Sequence, residues 1–243
     1  MAHSVTRAAS MLDAIAAAPR TVRELADQFA VHRSTMFREL AALEQVGYVR
    51  RCPDGSYLLG LRLIALAQHA LTDIDLREAA YPVVRELHRH VGNTVHVAGL
   101  IDAAIIYVDK VEDSAGVRMY SRVGAAVRPH CSAAGKAILA ELDRSARDAV
   151  LTGVDWAPFT ASTLTTPTEL DAELAVVRSR GWAVDDGEFE EFVNCVAVPV
   201  RSSAGVVGAI SLTAIRMVAD LDVLSRQVPL LQRAAARVST VLG

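Results

Sequence analysis

The sequence predicts an α+β chain in two parts, with three short helices and a hairpin in front and a sheet with segregated helices behind. Three observations carry that reading. Over the first 65 residues, apolar positions recur at steps of three and four between capping signals. From Thr94 the runs TVHVAGL, AAIIYVDKV and VRMYSRV have a β-type pattern, separated by polar or glycine breaks. Regular β-α-β alternation, the mark of a doubly wound sheet, is missing. At 243 residues the chain has room for a small core and a medium one.

Val5, Ala8, Leu12 and Ile15 keep helical spacing until Pro19, which ends the first helix. Thr21 and Glu24 form a T-x-x-E capping box, and Val22, Leu25, Ala26 and Phe29 face a short helix that stops near Ala30. A three-residue connection leads to Ser34, the expected N-cap of a third helix with Met36, Leu40 and Leu43 on one side and Gly47 as its close. Tyr48–Arg51 and Tyr57–Gly60 then flank the turn Pro53-Asp54-Gly55 as two strands. Three helices and a hairpin make a winged helix-turn-helix, in which the start of the second motif helix enters the major groove. Arg33, Ser34, Thr35 and Arg38 are then placed on phosphates and base edges, and Arg50 and Arg51 lie on the wing. Any one of these arginines alone reads better as an ordinary surface charge. The ordered set of cap, turn, polar-fronted helix and hairpin is what favours DNA.

Charge agrees in a small way. The first 65 residues hold eight arginines against six carboxylates, a balance of +2, while the remainder holds 17 basic and 22 acidic residues, −5. Only Lys110 and Lys136 are lysines, so phosphate contacts in front would fall to arginine. Hydrophobic residues at 52% and charged residues at 22% predict a globular chain. No apolar run approaches a membrane span, and MAHSVTRAAS lacks the apolar core of a signal peptide, so a cytoplasmic location is expected. Cys52, Cys131 and Cys195 lack CxxC spacing and are expected as free thiols, with no metal and no cofactor.

Behind the hairpin, Leu61, Leu63, Ile64, Leu66 and Ala67 suggest a further helix, broken at Thr72-Asp73-Ile74 before a new cap at Asp75 with Glu78. This gives a front module over 1–60, a helical linker over 61–74 and a rear domain over 75–243. Leu76, Ala80, Val83, Val84 and Leu87 form the next apolar face, with a bend expected at Pro82. Thr166, Pro167 and Glu169 start a helix faced by Leu170, Leu174 and Val177 and ended by Gly181. NCVAVPV and VVGAISLT flank the turn Ser202–Gly205, so Cys195, Ala197 and Pro199 share one side and Ala209, Ser211 and Thr213 one side of the partner strand. The stripe from Leu221 to Leu242 predicts one last helix.

The Gly135-Lys136 pair raises the question of a nucleotide. A P-loop needs a glycine five residues before Gly135 and a hydroxyl after the lysine, and this chain has His130 and Ala137. Nucleotide hydrolysis is therefore not expected. Ser132–Gly135 opens a helix instead, and its small residues suit an anion on backbone amides as well as a close packing contact. An enzymatic alternative is a thiol hydrolase using Cys131 or Cys195 with His130 as base, but no third, orienting residue is evident. A metal held by His130, Cys131, Cys195 and Asp185 has acceptable ligand types without a signature spacing.

HRSTMFRELAALEQVGYV followed by PDGSYLLG, then HCSAAGKAILA, GWAVDDGE, NCVAVPV and AISL, resembles the IclR family of bacterial transcriptional regulators along nearly the whole chain. The resemblance implies a winged helix in front and a GAF-like mixed α/β effector-binding domain behind. It implies partners too: a double-stranded DNA operator, a second or further copies of the chain in a homodimer or tetramer, and a small organic acid, either a sugar acid or another carboxylate. The family's effector pocket falls on Met119, Ala133, Ala134, Asp185, Cys195, Ser211 and Thr213. Amides near Ala133 to Gly135 would take the carboxylate, Ser211 and Thr213 supporting hydrogen bonds, Asp185 a ligand hydroxyl, and Met119 an apolar wall. One departure is Phe192 in EEFVNC, where the family often has glycine; it predicts a bulkier loop beside the pocket.

Overall fold

The structure is a computed structural model and describes residues 2–72, 75–112 and 121–243. The chain folds into two compact units, Met1–Asp73 and Ile74–Gly243. The first contains α1 (Ala2–Ala17), β1 (Arg20–Thr21), α2 (Val22–Gln28), α3 (Arg33–Gln45), β2 (Val49–Arg51), β3 (Ser56–Leu59) and α4 (Arg62–Thr72). The Thr21 hydroxyl accepts the Glu24 amide at 3.3 Å and the Glu24 carboxylate accepts the Thr21 amide at 2.7 Å, the reciprocal cap that the sequence predicts. Ser34 is not the cap of α3. That position is held by His32, whose Nδ1 accepts the Ser34 amide at 3.3 Å, so an imidazole satisfies the orphan donor and Ser34 lies inside the first turn.

The predicted hairpin gains a strand, since Arg20 and Thr21 pair with Tyr57 and Ser56 to give the order β1-β3-β2. Two residues are too few to show a period in sequence. Met11, Ile15, Leu25, Met36, Leu40, Val49 and Tyr57 make the core under α1, α2 and α3. An Arg7–Glu39 ion pair ties α1 to α3 across its edge. Gly60 follows β3 where the chain passes the end of α3, and a Cβ there would meet the Gly47 carbonyl oxygen at 2.0 Å, so no other residue fits.

The second unit contains α5 (Asp75–Val91), β4 (Thr94–Ile101), β5 (Ala104–Val111), α6 (Ala133–Leu139), α7 (Arg144–Leu151), α8 (Pro167–Arg180), β6 (Ala183–Asp186), β7 (Val193–Ser202), β8 (Gly205–Ile215), α9 (Leu221–Arg226) and α10 (Val228–Leu242). Its strands form a five-stranded antiparallel sheet in the order β5-β4-β8-β7-β6. Alternation divides the side chains between two cores. Val196, Val198, Val200, Ile210 and Leu212 pack with α5, α9 and α10, while Cys195, Ala197 and Ala209 pack with α6 and α8.

Pro82 sits inside α5, which runs unbroken. The C-terminal stripe is two helices rather than one, interrupted at Gln227 because Pro229 occupies the first turn of α10 and has no amide to continue α9. Residues 117–120 of the run VRMYSRV lie outside the described residues, and Ser121–Val123 form no strand. Among the described residues no helix is long and apolar enough to cross a membrane.

Candidate DNA-contact surface and ligand cavity

Met36 and Leu40 pin α3 to the core of the first unit. The opposite side of its first two turns is left outward, so Arg33, Ser34 and Arg38 are exposed and Thr35 is half-buried. Arg50 and Arg51 are exposed on β2. None of these four arginines pairs with a carboxylate among the described residues, whereas Arg7 and Arg23 do. Phe37 stands beside them, 49% exposed, an apolar edge of the sort that meets a thymine methyl. Sequence reading missed it. Its position between Met36 and Arg38 was the available signal, because it falls off the stripe of Met36, Leu40 and Leu43.

In the second unit a cavity of about 280 Å³ opens between the sheet and the start of α6. Its floor is a row in register across three strands, Asp185 opposite Cys195 and Cys195 opposite Thr213, with His96 of β4 opposite Ser211 of β8. These groups hold one another. His96 Nε2 lies 2.7 Å from Ser121 Oγ, its Nδ1 lies 3.2 Å from Thr213 Oγ1, and that hydroxyl lies 3.2 Å from Cys195 Sγ. Ser132, Ala133 and Ala134 border the cavity on the α6 side, and Tyr107, Ala125, Ala126, Arg128, Phe189, Glu190 and Val193 complete its lining.

Burial dominates the electrostatics. It pushes Asp185 up to about 7, helped by the neighbouring Glu188 carboxylate, so that near neutral pH this carboxyl is partly protonated and can donate as well as accept. It pushes His96 down to about 3, with Lys110 adding to the effect, and the imidazole is neutral with one donor and one acceptor nitrogen. The thiols of Cys131 and Cys195 are pushed up to about 12. A nucleophilic cysteine needs the opposite shift. Among the described residues no group of three or more His, Cys, Asp or Glu side chains could hold a metal ion.

The Gly135-Lys136 pair turns inward. Ser132 caps α6, its Oγ accepting the Gly135 amide at 3.1 Å, and a Cβ on Gly135 would meet the Pro129 carbonyl oxygen at 2.5 Å. Gly135 is thus a packing glycine, absent from the cavity wall. Lys136 is fully buried, ion-paired to Glu188 and 3.7 Å from Glu173. It ties α6 to the loop after β6, and no phosphate role is left to it.

Residues 4–53 match the IclR helix-turn-helix domain, and residues 68–240 match the bacterial transcriptional regulator IclR C-terminal domain. The chain belongs to the IclR family. The HTH-type transcriptional regulator XynR of Escherichia coli K12 is 32% identical over 245 residues, covering 99% of this chain and 97% of that one. The crystal structure of the Thermotoga maritima IclR superposes with a TM-score of 0.81 at 29% identity over 100% of both chains. An IclR homologue from Microbacterium hydrocarbonoxydans, crystallised with 4-hydroxybenzoate, shares the fold with a TM-score of 0.83 at 24% identity over 98% of each chain. IclR-family proteins are transcriptional regulators and not enzymes, which removes the thiol-hydrolase alternative.

Of the pocket positions that the IclR resemblance implies, Ala133, Ala134, Asp185, Cys195, Ser211 and Thr213 line the one cavity. Met119 lies outside the described residues. Phe192 is 67% exposed and is not a lining residue, so its bulk projects to solvent instead of narrowing the cavity. His96, Tyr107, Arg128, Phe189 and Glu190 were missed. For His96 the signal was present, since it alternates with Val95 and Val97 in a strand whose other side is core.

Proposed function

We propose that this IclR-family regulator binds a palindromic double-stranded operator through residues 1–60, as a homodimer or tetramer in the cytoplasm. In this reading a small carboxylate held by residues 75–243 changes operator affinity through the linker 61–74. The single observation that carries it is the cavity, because hydroxyls, a partly protonated carboxyl and a neutral imidazole are gathered on the floor of a space of about 280 Å³, a polar arrangement suited to a hydroxylated acid. Amides at Ala133 and Ala134, first in α6 and without an acceptor in it, take the carboxylate. Ser211 and Thr213 support it with hydrogen bonds, Asp185 takes a ligand hydroxyl, and Cys195 fills the floor. A sugar acid or another small carboxylate fits. The IclR homologue complexed with 4-hydroxybenzoate supports an acid as the ligand class.

Arg33, Ser34, Thr35 and Arg38 read the groove, and Arg50 and Arg51 grip the backbone. Exposed apolar residues on and beside α4, Leu61 at 75% and Ile64 at 58%, support a second copy packed on the first unit. Ligand and DNA are coupled only if the acid prefers one arrangement of the two reading heads. The test is footprinting of the full chain on the DNA upstream of its own gene, over a salt series, with and without a panel of carboxylates. Salt-sensitive protection that one of the acids alters is the expected result. No protection at low salt overturns the reading.

A further inference from the structure

Arg128 is the only lysine or arginine in the lining of the cavity among the described residues. Its guanidinium is 4.3 Å from the ring centroid of Phe159 and 4.8 Å from that of Phe189, and the two rings meet edge to face at 5.1 Å. Phe189 is itself a lining residue. Among the described residues Arg128 has no carboxylate partner, although Asp185 and Glu190 line the same space. Phe159 is fixed from behind by His130, which is buried between it and Trp156 with centroid distances of 6.3 and 5.0 Å. The backbone on either side of Phe159 is tied down as well: the amides of Phe159 and Thr160 donate to Thr163 Oγ1 at 3.0 and 2.8 Å, and that hydroxyl donates to the Glu188 carbonyl at 2.6 Å.

A cation stacked on two rings keeps its edge donors free, and it gives up little rotamer freedom when it binds because the rings already hold it. An anion entering a space lined by two carboxyls needs such a cation, since the helix amides carry only partial charge. We propose that Arg128, held by Phe159 and Phe189, is the specificity-determining residue of the cavity, making it select an acid over a neutral molecule of the same shape. This rests on the reading that the cavity binds a small acid, and it assigns the charge recognition to a side chain outside the amides of α6.

The experiment uses the full chain and two matched pairs of probes, 4-hydroxybenzoate with 4-hydroxybenzamide and gluconate with gluconamide, followed by calorimetry and thermal shift. The wild type is expected to bind at least one acid about tenfold or more tightly than its amide, as a charge-assisted contact gives. Arg128→Gln should lose most of that ratio by weakening the acid while leaving the amide unchanged. Arg128→Lys should keep part of it, and Phe159→Leu, which retains the arginine but removes one ring, should fall between. If Arg128→Gln keeps the wild-type ratio, the amides of α6 suffice and the proposal is overturned while the cavity reading stands. If neither acid binds the wild type, both fall. Should Arg128→Gln fail to fold, the Lys and Leu variants decide: ratios equal to wild type in both overturn the proposal.

Discussion

In the first unit Arg33, Arg38, Arg50 and Arg51 stand in solvent without a carboxylate partner among the described residues, whereas in the second Lys136 is fully buried against Glu188 and Asp109 is buried against Arg85. The fold uses these charges differently. An exposed, unpaired arginine contributes almost nothing to stability and is free for a phosphate, while a buried pair is bound to the fold on both sides, and losing one partner strands the other. Substitutions of these exposed arginines should therefore separate binding from stability, and substitutions in the buried pairs should not. The sharpest attempt to break this contrast is Lys136→Met. It leaves the Glu188 carboxylate buried with only distant compensation, and a loss of about 3–5 kcal/mol in denaturant unfolding is expected. Adding Glu188→Leu should restore much of it. A loss under about 1 kcal/mol for the single change would mean that the lysine is no more structural than the arginines in front.

A second and somewhat smaller effect depends on pH. Asp185 keeps its proton up to about pH 7 in the folded chain, against roughly 4 when unfolded. The folded state thus binds an extra proton between about pH 4 and 7, so this contribution to stability is complete below that window and is lost as pH rises through it. Asp185→Asn should consequently gain on the wild type by about 2–4 kcal/mol at pH 8 and by little at pH 4. His96 acts in the opposite direction. Its value is pushed down to about 3, so its contribution is present above roughly 6.5 and lost as pH falls. The two largely cancel in the wild type, and only the variant exposes the slope. A gain for Asp185→Asn that is constant from pH 4 to 8 would show that this carboxyl does not titrate as its burial requires.

The same contrast explains what could be read in the sequence. Local rules worked for most partners close along the chain: Thr21 with Glu24, Thr166 with Glu169 and Gly181, and the alternation that put Cys195 and Ala197 on one side of β7 and Ser211 and Thr213 on one side of β8. They failed where a residue's role is fixed by something distant. Lys136 finds Glu188, 52 positions away, and Arg128 finds Phe159 and Phe189, so neither role has a spacing to betray it. His32 was passed over for a subtler reason, since an imidazole acts as a cap acceptor only in its neutral form and Ser34 offered a more familiar hydroxyl. The break at Gln227 had its signal in Pro229, but Leu224 and Val228 keep a helical step across it and the apolar stripe outweighed the proline.

Arg38→Ala tests the front of the molecule more gently. Affinity for an upstream operator fragment should fall about ten- to hundredfold, roughly 1–3 kcal/mol, while the unfolding midpoint stays where it was. If Arg38 contacts a phosphate rather than a base, the loss will be uniform across sequences and the slope of log affinity against log salt will drop by about one. A change in the unfolding midpoint as large as the change in binding would erase the distinction between the two units.

The smallest effect gives the closest comparison, because each unit carries the same device. Thr21 and Thr166 both accept the amide three residues on, and Glu24 and Glu169 both reach back to the cap residue's own amide. Replacing either threonine by alanine removes the hydroxyl acceptor, leaves one amide donor unsatisfied and should cost about 1 kcal/mol. The same free energy is spread over unequal cores, one in a unit of 73 residues and the other in one of 170. The melting entropy grows with the number of residues that unfold together, so Thr21→Ala should lower the melting temperature of its unit by about 4–8 °C and Thr166→Ala by only about 2–4 °C. Calorimetry of the full chain would read both. Equal shifts in a single shared transition would mean that the two units melt as one cooperative body, in which case a substitution behind must be felt in front.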